Sequence, residues 1–398
     1  MATQRPVIIV GAGLSGLCAA HLLHAHNVPV RVLEAKDRVG GRTFTDPTYS
    51  VDLGGAYLGR TKKRCVYLAR QLEVKTYPVY NEGKGVYLLN GNLHHVESIE
   101  KAFLSPSWNE FLRAMDEIDD LGKSIPLEQP WNADQSTQWD RTTMEEWIAK
   151  ITDDSNVGSF LRAMVRTIFG AEPHEMSLLF FLWYAQAGKG IWELCTGAQT
   201  HMFQGGAQQL SWKMANQLGM GEQVLLSHPV RKVDQSDCGV CVTTALGEDI
   251  MGSHCIVAIP PGVRNNITFS PRLNGVYHQL PQRVPMGAYV KTFMFYKDAW
   301  WRKKGFSGIA FATDSDAIVG QTYDATPPSG DNPSIMGFIL SNRAREVYQH
   351  TTNERKKMIS EHYRKMFGCE EALYPVHYME KDWLAEELMG EQYSVHAQ

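Results

Sequence analysis

The sequence predicts an α/β fold with mixed α+β character: a Rossmann-like nucleotide-binding domain in two pieces, interleaved with a second domain. Three observations predict it. A β-branched run, Val7-Ile8-Ile9-Val10, leads directly into Gly11-Ala12-Gly13-Leu14-Ser15-Gly16 and an apolar helical pattern. Segments 104–124 and 143–170 then read as helices of amphipathic period. Alternating strands return at 223–234 and 240–259 with a turn between them, as a discontinuous domain requires. At 398 residues the chain is also too long for a single core.

Taken in order, Val7–Val10 has the composition of a strand buried on both faces of a parallel sheet. In the glycine motif, Gly11 permits a tight turn, Gly13 lets backbone approach a pyrophosphate, and Gly16 lets the helix pack closely on the strand. The helix N-terminus offers free N–H groups and a positive dipole end to phosphates. A second strand, Val28–Leu33, ends at Glu34, placed to accept from ribose hydroxyls. GxGxxG alone is weak evidence. With a strand before it, a helix after it and an acid about 20 residues on, it indicates a bound dinucleotide.

Gly40-Gly41-Arg42-Thr43 separates FAD from NAD. An extended flavin needs a second close backbone approach beside its phosphates and ribityl chain, with an arginine to offset charge. Asp52-Leu53-Gly54-Gly55 repeats that pattern of close approach.

Charge and cysteine content bound the partners. The net charge of −4 arises from 39 basic and 43 acidic residues, which leaves no broad basic field for nucleic acid or anionic lipid. Clusters such as 60–64 and Arg302–Lys304 read as solvated surface. Seven scattered cysteines point to free thiols in a reducing compartment. Cys238-Gly239-Val240-Cys241 has no second ligand pair nearby, so no metal site is assigned. No signal peptide is recognisable, and no run reaches the ~18 apolar residues of a membrane helix. Leu178–Ala187 is the nearest approach and reads as a buried helix.

Val7–Thr45, Val51–Gly59, Phe203-Gln204-Gly205-Gly206 and Val284–Lys291 resemble the flavin-containing amine oxidases. Within that family, Ala171–Glu175 through Phe181–Tyr184, Trp300–Lys304, Ile335–Leu340 and Pro375–Tyr378 are similar to animal monoamine oxidases. The similarity runs to about Trp383. It implies an FAD-binding domain from 1–78 and 203–283, and a substrate domain, a mixed sheet flanked by helices, from 79–202 and 284–379. Residues 380–398 form a divergent tail. The implied reaction is oxidative deamination of primary or secondary amines by FAD and oxygen. A homodimer at the mitochondrial outer membrane is implied with it.

Site residues follow from the same resemblance. Ser15, Ala35, Gly41, Arg42, Gly54 and Gly55 join Gly11, Gly13, Gly16 and Glu34 as FAD contacts. Val230 matches a position whose backbone grips the adenine; otherwise it is a plain strand residue. Lys291 lies in the apolar run Ala288–Tyr296, where a charge is expensive without a partner or a depressed pKa. One reading is a snorkelling edge lysine. The family reading is a lysine that reaches a water beside the flavin and assists reoxidation. Tyr57, Gln199 and Phe338 match positions near the substrate cavity, though core packing competes for Phe338. Trp192 and Gln321 fall at gating and selectivity positions that are aliphatic or aromatic in the mammalian forms, so substrate preference does not carry over.

The tail departs from the family. Tyr393-Ser394 matches a pair that monoamine oxidases follow with glycines and the cysteine bonded to the flavin, and this sequence has neither. A second cage tyrosine, the segment closing on FAD and the membrane-anchoring helix also have no counterpart. The expectation is a C-terminally truncated chain that holds FAD without a covalent bond and, without the anchor, is cytoplasmic. Two functions remain open: an amine oxidase, or a catalytically impaired variant with a regulatory role. An NAD dehydrogenase is disfavoured by Gly40-Gly41-Arg42.

Overall fold

The computed structural model describes residues 4–59, 61–103 and 105–386. Tyr393, Ser394 and Arg60 therefore lie outside the described residues. Val7–Val10 pairs in parallel with Val30–Leu33 on one side and His254–Val257 on the other, and Val224–Leu225 extends the sheet beyond Val30–Leu33. Alternation along the first strand explains its continuous hydrophobicity. Val7 and Ile9 pack with Leu17 and Ala20 of helix Leu14–Ala25 and with Leu210 and Met214 of helix Gln209–Leu218. Ile8 and Val10 pack on the opposite side against Val230, Val233, Val240 and Val242 of an antiparallel layer. A strand sandwiched this way must be apolar on both faces.

Residues 105–202 supply a helical core of Ser105–Gly122, Met144–Ile151, Ser155–Phe169 and Leu178–Ala187. The expected helix at 143–170 is two helices. Asp154 accepts from the Asn156 and Val157 N–H groups at 2.8 and 3.2 Å, capping a second helix where the first has ended. An aspartate that competes for backbone in this way starts a helix better than it continues one.

The other large element is a seven-stranded sheet in the order 377–382, 289–295, 334–340, 321–324, 306–312, 84–89, 92–96. Every residue of Tyr289–Phe295 is buried, because the strand is paired on both sides. Val290 and Met294 face one core with Ile335 and Ile339. Tyr289, Phe293 and Phe295 face the other with Met336, Phe338 and Leu340. Lys291 shares that second face by alternation. Its strand is interior to the sheet, so an edge lysine reaching for solvent is excluded.

Candidate active site

Two glycine turns meet at the end of the first strand. A bridge joins Gly13 to Gly40, and the Gly40 N–H donates to the Ala12 carbonyl at 2.9 Å. A Cβ at Gly16 would stand 2.0 Å from the Gly11 carbonyl oxygen, so helix and strand touch backbone to backbone. At Gly13 a Cβ would meet nothing within 4 Å. The space in front of that turn is open, as an approaching pyrophosphate requires. Gly54 also answers to a packing demand. A Cβ there would lie 2.1 Å from the Arg42 carbonyl oxygen, so this glycine permits two chain segments to cross; only Gly55, with 3.7 Å to Thr43 Cγ2, has ordinary room.

Around the turns, Glu34 is nearly fully buried and reaches back to the glycine turn after the first strand. Its Oε2 accepts from the Ala12 N–H at 2.6 Å and its Oε1 from the Lys36 N–H at 3.0 Å. Burial pushes its carboxyl above the usual range. A carboxylate has about four acceptor positions, so both oxygens retain capacity for hydroxyl donors. The Ser227 and His228 N–H groups donate to the Lys36 and Glu34 carbonyls, both at 2.8 Å, which joins the segment holding Ala35 to the one leading into Val230. Ser15 is exposed in the first turn of the helix.

The Arg42 side chain is half-buried, and burial lowers its pKa. Among the described residues its guanidinium makes no hydrogen bond or ion pair. A desolvated cation beside an open glycine turn is an arrangement completed by an anion. Lys36, nearby, is committed to Glu386, which also pairs with Lys381. The last described residue thus contacts the cradle.

Lys291 is 1% exposed. Its Nζ donates to the Asp52 carbonyl at 2.6 Å and the Gly54 carbonyl at 2.9 Å. Burial pulls its pKa down to about 8, opposed by the nearby charge of Asp52. Asp52 was not singled out from sequence. Its carboxylate is buried, accepts from Thr45 Oγ1 at 2.6 Å and the Ala207 N–H at 2.9 Å, and is pushed up to about 6 by burial. Trp383 is a second such residue: fully buried, it donates from Nε1 to the Leu53 carbonyl at 2.9 Å. The loop 52–54 is therefore clamped by Lys291 and Trp383, both from the other sheet.

The Lys291 ammonium faces aromatic rings: Nζ lies 5.8 Å from the Tyr57 ring centre and 5.7 Å from that of Phe338. Phe338 is also core, with its ring edge-on to Tyr289 at 6.3 Å. Gln321 sits directly opposite Phe338 on the next strand and donates from Nε2 to the Tyr323 hydroxyl at 2.5 Å. The Tyr323 ring lies 5.3 Å from that of Tyr57. Tyr57, Phe338 and Gln321 are thus brought together with Lys291. Gln199 is half-buried two residues before strand His201–Phe203, which pairs with Tyr57–Leu58. Trp192 stands apart on helix Ile191–Thr196, 42% exposed, with its ring 6.1 Å from that of Phe111.

A glycine-lined cradle running through loop 52–54 to a buried lysine and an aromatic enclosure is the arrangement of a dinucleotide-dependent oxidoreductase. Comparison with known proteins names the family. The family model described as flavin containing amine oxidoreductase matches residues 14–398. An "Amine oxidase [flavin-containing]" of Oncorhynchus mykiss is 41% identical over 98% of this chain and 76% of its own length. "Amine oxidase [flavin-containing] A" of Canis lupus familiaris is 38% identical over 98% of this chain and 75% of its own. Among solved structures, wild-type putrescine oxidase bound to putrescine superposes with a TM-score of 0.93 at 30% identity, over 98% of this chain and 87% of that one. Cyclohexylamine oxidase from Brevibacterium oxydans gives 0.89 at 31% identity, over 97% and 86%. The chain belongs to the flavin-containing amine oxidase family, and its fold is theirs.

Proposed function

We propose that the protein oxidises primary or secondary amines with FAD, a primary amine, oxygen and water giving aldehyde, ammonia and hydrogen peroxide. The observation that carries the reading is Lys291: a buried ammonium tied by two carbonyls to the loop next to the cradle, with one N–H left over and an aromatic enclosure in front. What a bound flavin supplies is acceptance of two electrons from the amine α-carbon and their delivery to oxygen.

The chain's own residues do the rest. Gly11, Gly13, Ser15, Gly16 and Gly41 offer backbone to the phosphates, with Arg42 as counter-charge, and Gly54 and Gly55 shape the adjoining loop. Glu34 takes ribose hydroxyls, with Ala35 and Val230 beside the adenine. All of these hold the cofactor without a covalent bond. Tyr57 and Phe338 line the amine's approach and exclude water, which favours the neutral amine. Lys291, with a pKa near 8, can hold or release a proton at Nζ close to neutral pH, where oxygen reduction needs one. Trp192 and Gln199 would shape entry and orientation of the amine. On this reading the two domains divide at 78/79, 202/203 and 283/284.

Homodimerisation and mitochondrial outer-membrane attachment would follow the family. Among the described residues no helix is long and apolar enough to cross a membrane.

The test is the absorbance spectrum of the purified 398-residue chain. A flavin band near ~450 nm that bleaches on anaerobic amine addition and returns with oxygen is expected. A colourless chain, or a band indifferent to every amine, would favour a catalytically impaired variant with a regulatory role.

A further inference from the structure

Asp52 meets its surroundings with two different groups. Its main-chain carbonyl accepts from Lys291 Nζ at 2.6 Å. Its carboxylate is engaged elsewhere: Oδ1 accepts from Thr45 Oγ1 at 2.6 Å and from the Ala207 N–H at 2.9 Å, with Oδ2 at 3.1 Å from the same N–H. The next residue along, Gln208, is also buried; its Oε1 accepts from the Thr45 N–H at 2.9 Å and its Nε2 donates to the Val39 carbonyl at 2.8 Å. A continuous chain of hydrogen bonds therefore runs from the residue before Gly40, through Gln208, Thr45 and Asp52, to Lys291. Breaking a buried link leaves a polar group unsatisfied, so such a chain holds its members in one arrangement. Every residue type would bring a main-chain carbonyl to position 52. What the Asp52 side chain decides is where that carbonyl sits.

The charges point the same way. Among the described residues no hydrogen bond joins the Asp52 carboxylate to the Lys291 ammonium, yet Asp52 is the charge that opposes the effect of burial on the amine. With its own pKa at about 6, the carboxyl is ionised over the range in which the amine titrates. The other ionisable groups nearby are occupied or neutral there. Lys381, directly opposite Lys291 on strand His377–Asp382, pairs with Glu386. Tyr57 turns its ring to the ammonium, and Tyr77 is pushed up by burial and by the charges of Asp52 and Asp324. Asp324 is itself held by Trp301 Nε1 at 2.7 Å and Arg302 Nε at 2.6 Å. We propose that Asp52 is a positioning residue for the oxygen half of the reaction: tethered by Thr45 and Ala207, it fixes the carbonyls that hold the Lys291 amine, and its buried negative charge keeps that amine protonated. This rests on the amine-oxidase reading and extends it from Lys291 to the residue that governs it.

A carbon-13 titration of the lysine Cε resonances in the purified full chain reads the amine directly, with Lys291 identified by the signal lost in Lys291→Met. Asp52→Asn keeps an oxygen for Thr45 and Ala207 and removes the charge. In it the Lys291 midpoint is expected to fall by about one pH unit, the effect of losing one buried opposite charge. In the flavin-loaded protein, the decline of reoxidation rate with rising pH should move down by the same amount. Thr45→Val keeps the charge and cuts one tether, so the midpoint should stay while reoxidation slows about threefold. If Asp52→Asn does not fold, the wild type decides: the Lys291 signal should follow two steps, its own near 8 and a smaller one near 6 as Asp52 takes up a proton. An unmoved midpoint in Asp52→Asn, a single step in the wild type, a moved midpoint with an unmoved reoxidation profile, or Thr45→Val reoxidised as fast as the wild type would each overturn the positioning role while leaving the oxidase reading intact. A bound flavin that no amine bleaches would overturn both.

Discussion

In the cradle, the decisive feature is the absence of side chains. A Cβ at Gly16 or Gly54 would lie only 2.0 or 2.1 Å from a carbonyl oxygen, and Gly13 faces open space. On the sheet face of Lys291 the reverse holds: Tyr57, Phe338, Gln321 and Tyr323 fill the surface, and the backbone merely spaces them. On the proposed reading, one region would grip its ligand through N–H groups that any sequence carries. The other would read its ligand through groups only these residues carry. Substrate preference can therefore change with a few substitutions on the sheet face while the cradle stays as it is.

The comparison breaks most visibly at the glycines. Gly16→Ala and Gly54→Ala each drive a methyl into backbone that cannot retreat, so a stability loss of about 3 kcal/mol or more is expected. Gly13→Ala should leave the flavin-free chain within about 1 kcal/mol of wild type, because φ is −73° there and the methyl meets nothing. It should nevertheless lower FAD affinity at least about tenfold, since the methyl occupies the space the pyrophosphate needs. Thermal unfolding and flavin titration of the three variants would check this. Equal stability losses at 13 and 16 would mean that Gly13 is a packing glycine too.

The cradle was legible because its parts are close in sequence and each glycine answers to a local geometric demand. Lys291 was legible by incongruity, a charge inside an apolar run. Its restraint was not: the carbonyls that hold it come from loop 52–54, and Asp52 is itself held by Thr45 and Ala207. No spacing rule connects those positions. The packing demand on Gly54 was not legible either: a Cβ there would meet the Arg42 carbonyl oxygen, which comes from another loop. Tyr323 could have been found, since Gln321-Thr322-Tyr323-Asp324 alternates and puts the tyrosine on the glutamine's face. The helix break at Asp154 was also available, as a Thr-Asp-Asp run favours caps over helix interior.

Lys291→Met probes the junction between the two regions. The lysine's pKa falls from 10.5 to about 8 on folding, so between those values the unfolded chain binds more protons and stability rises with pH. Wild type should therefore gain up to about 3 kcal/mol relative to Lys291→Met as pH is raised from 8 to 10.5, and the difference should be flat below 8. Urea denaturation at stepped pH measures it. A pH-independent difference would place the proton elsewhere. In the flavin-loaded protein the same substitution should slow reoxidation by oxygen far more than reduction by amine; equal slowing would remove the lysine from the oxygen step.

The smallest effect expected is the most discriminating for the cradle. Arg42 carries a half-buried charge with no partner among the described residues, whereas Lys36 is paired with Glu386. Removing an uncompensated charge should help the empty fold and harm the filled one. Arg42→Met is expected to raise the stability of the flavin-free chain by up to about 1 kcal/mol, through relief of desolvation. It should weaken FAD by about tenfold, the loss of one charge-assisted contact to an anion. Opposite signs in the two measurements are the signature of a residue kept for its ligand. If both fall together, the guanidinium braces the Gly40–Gly55 loops, and the anion must be met by backbone N–H groups alone.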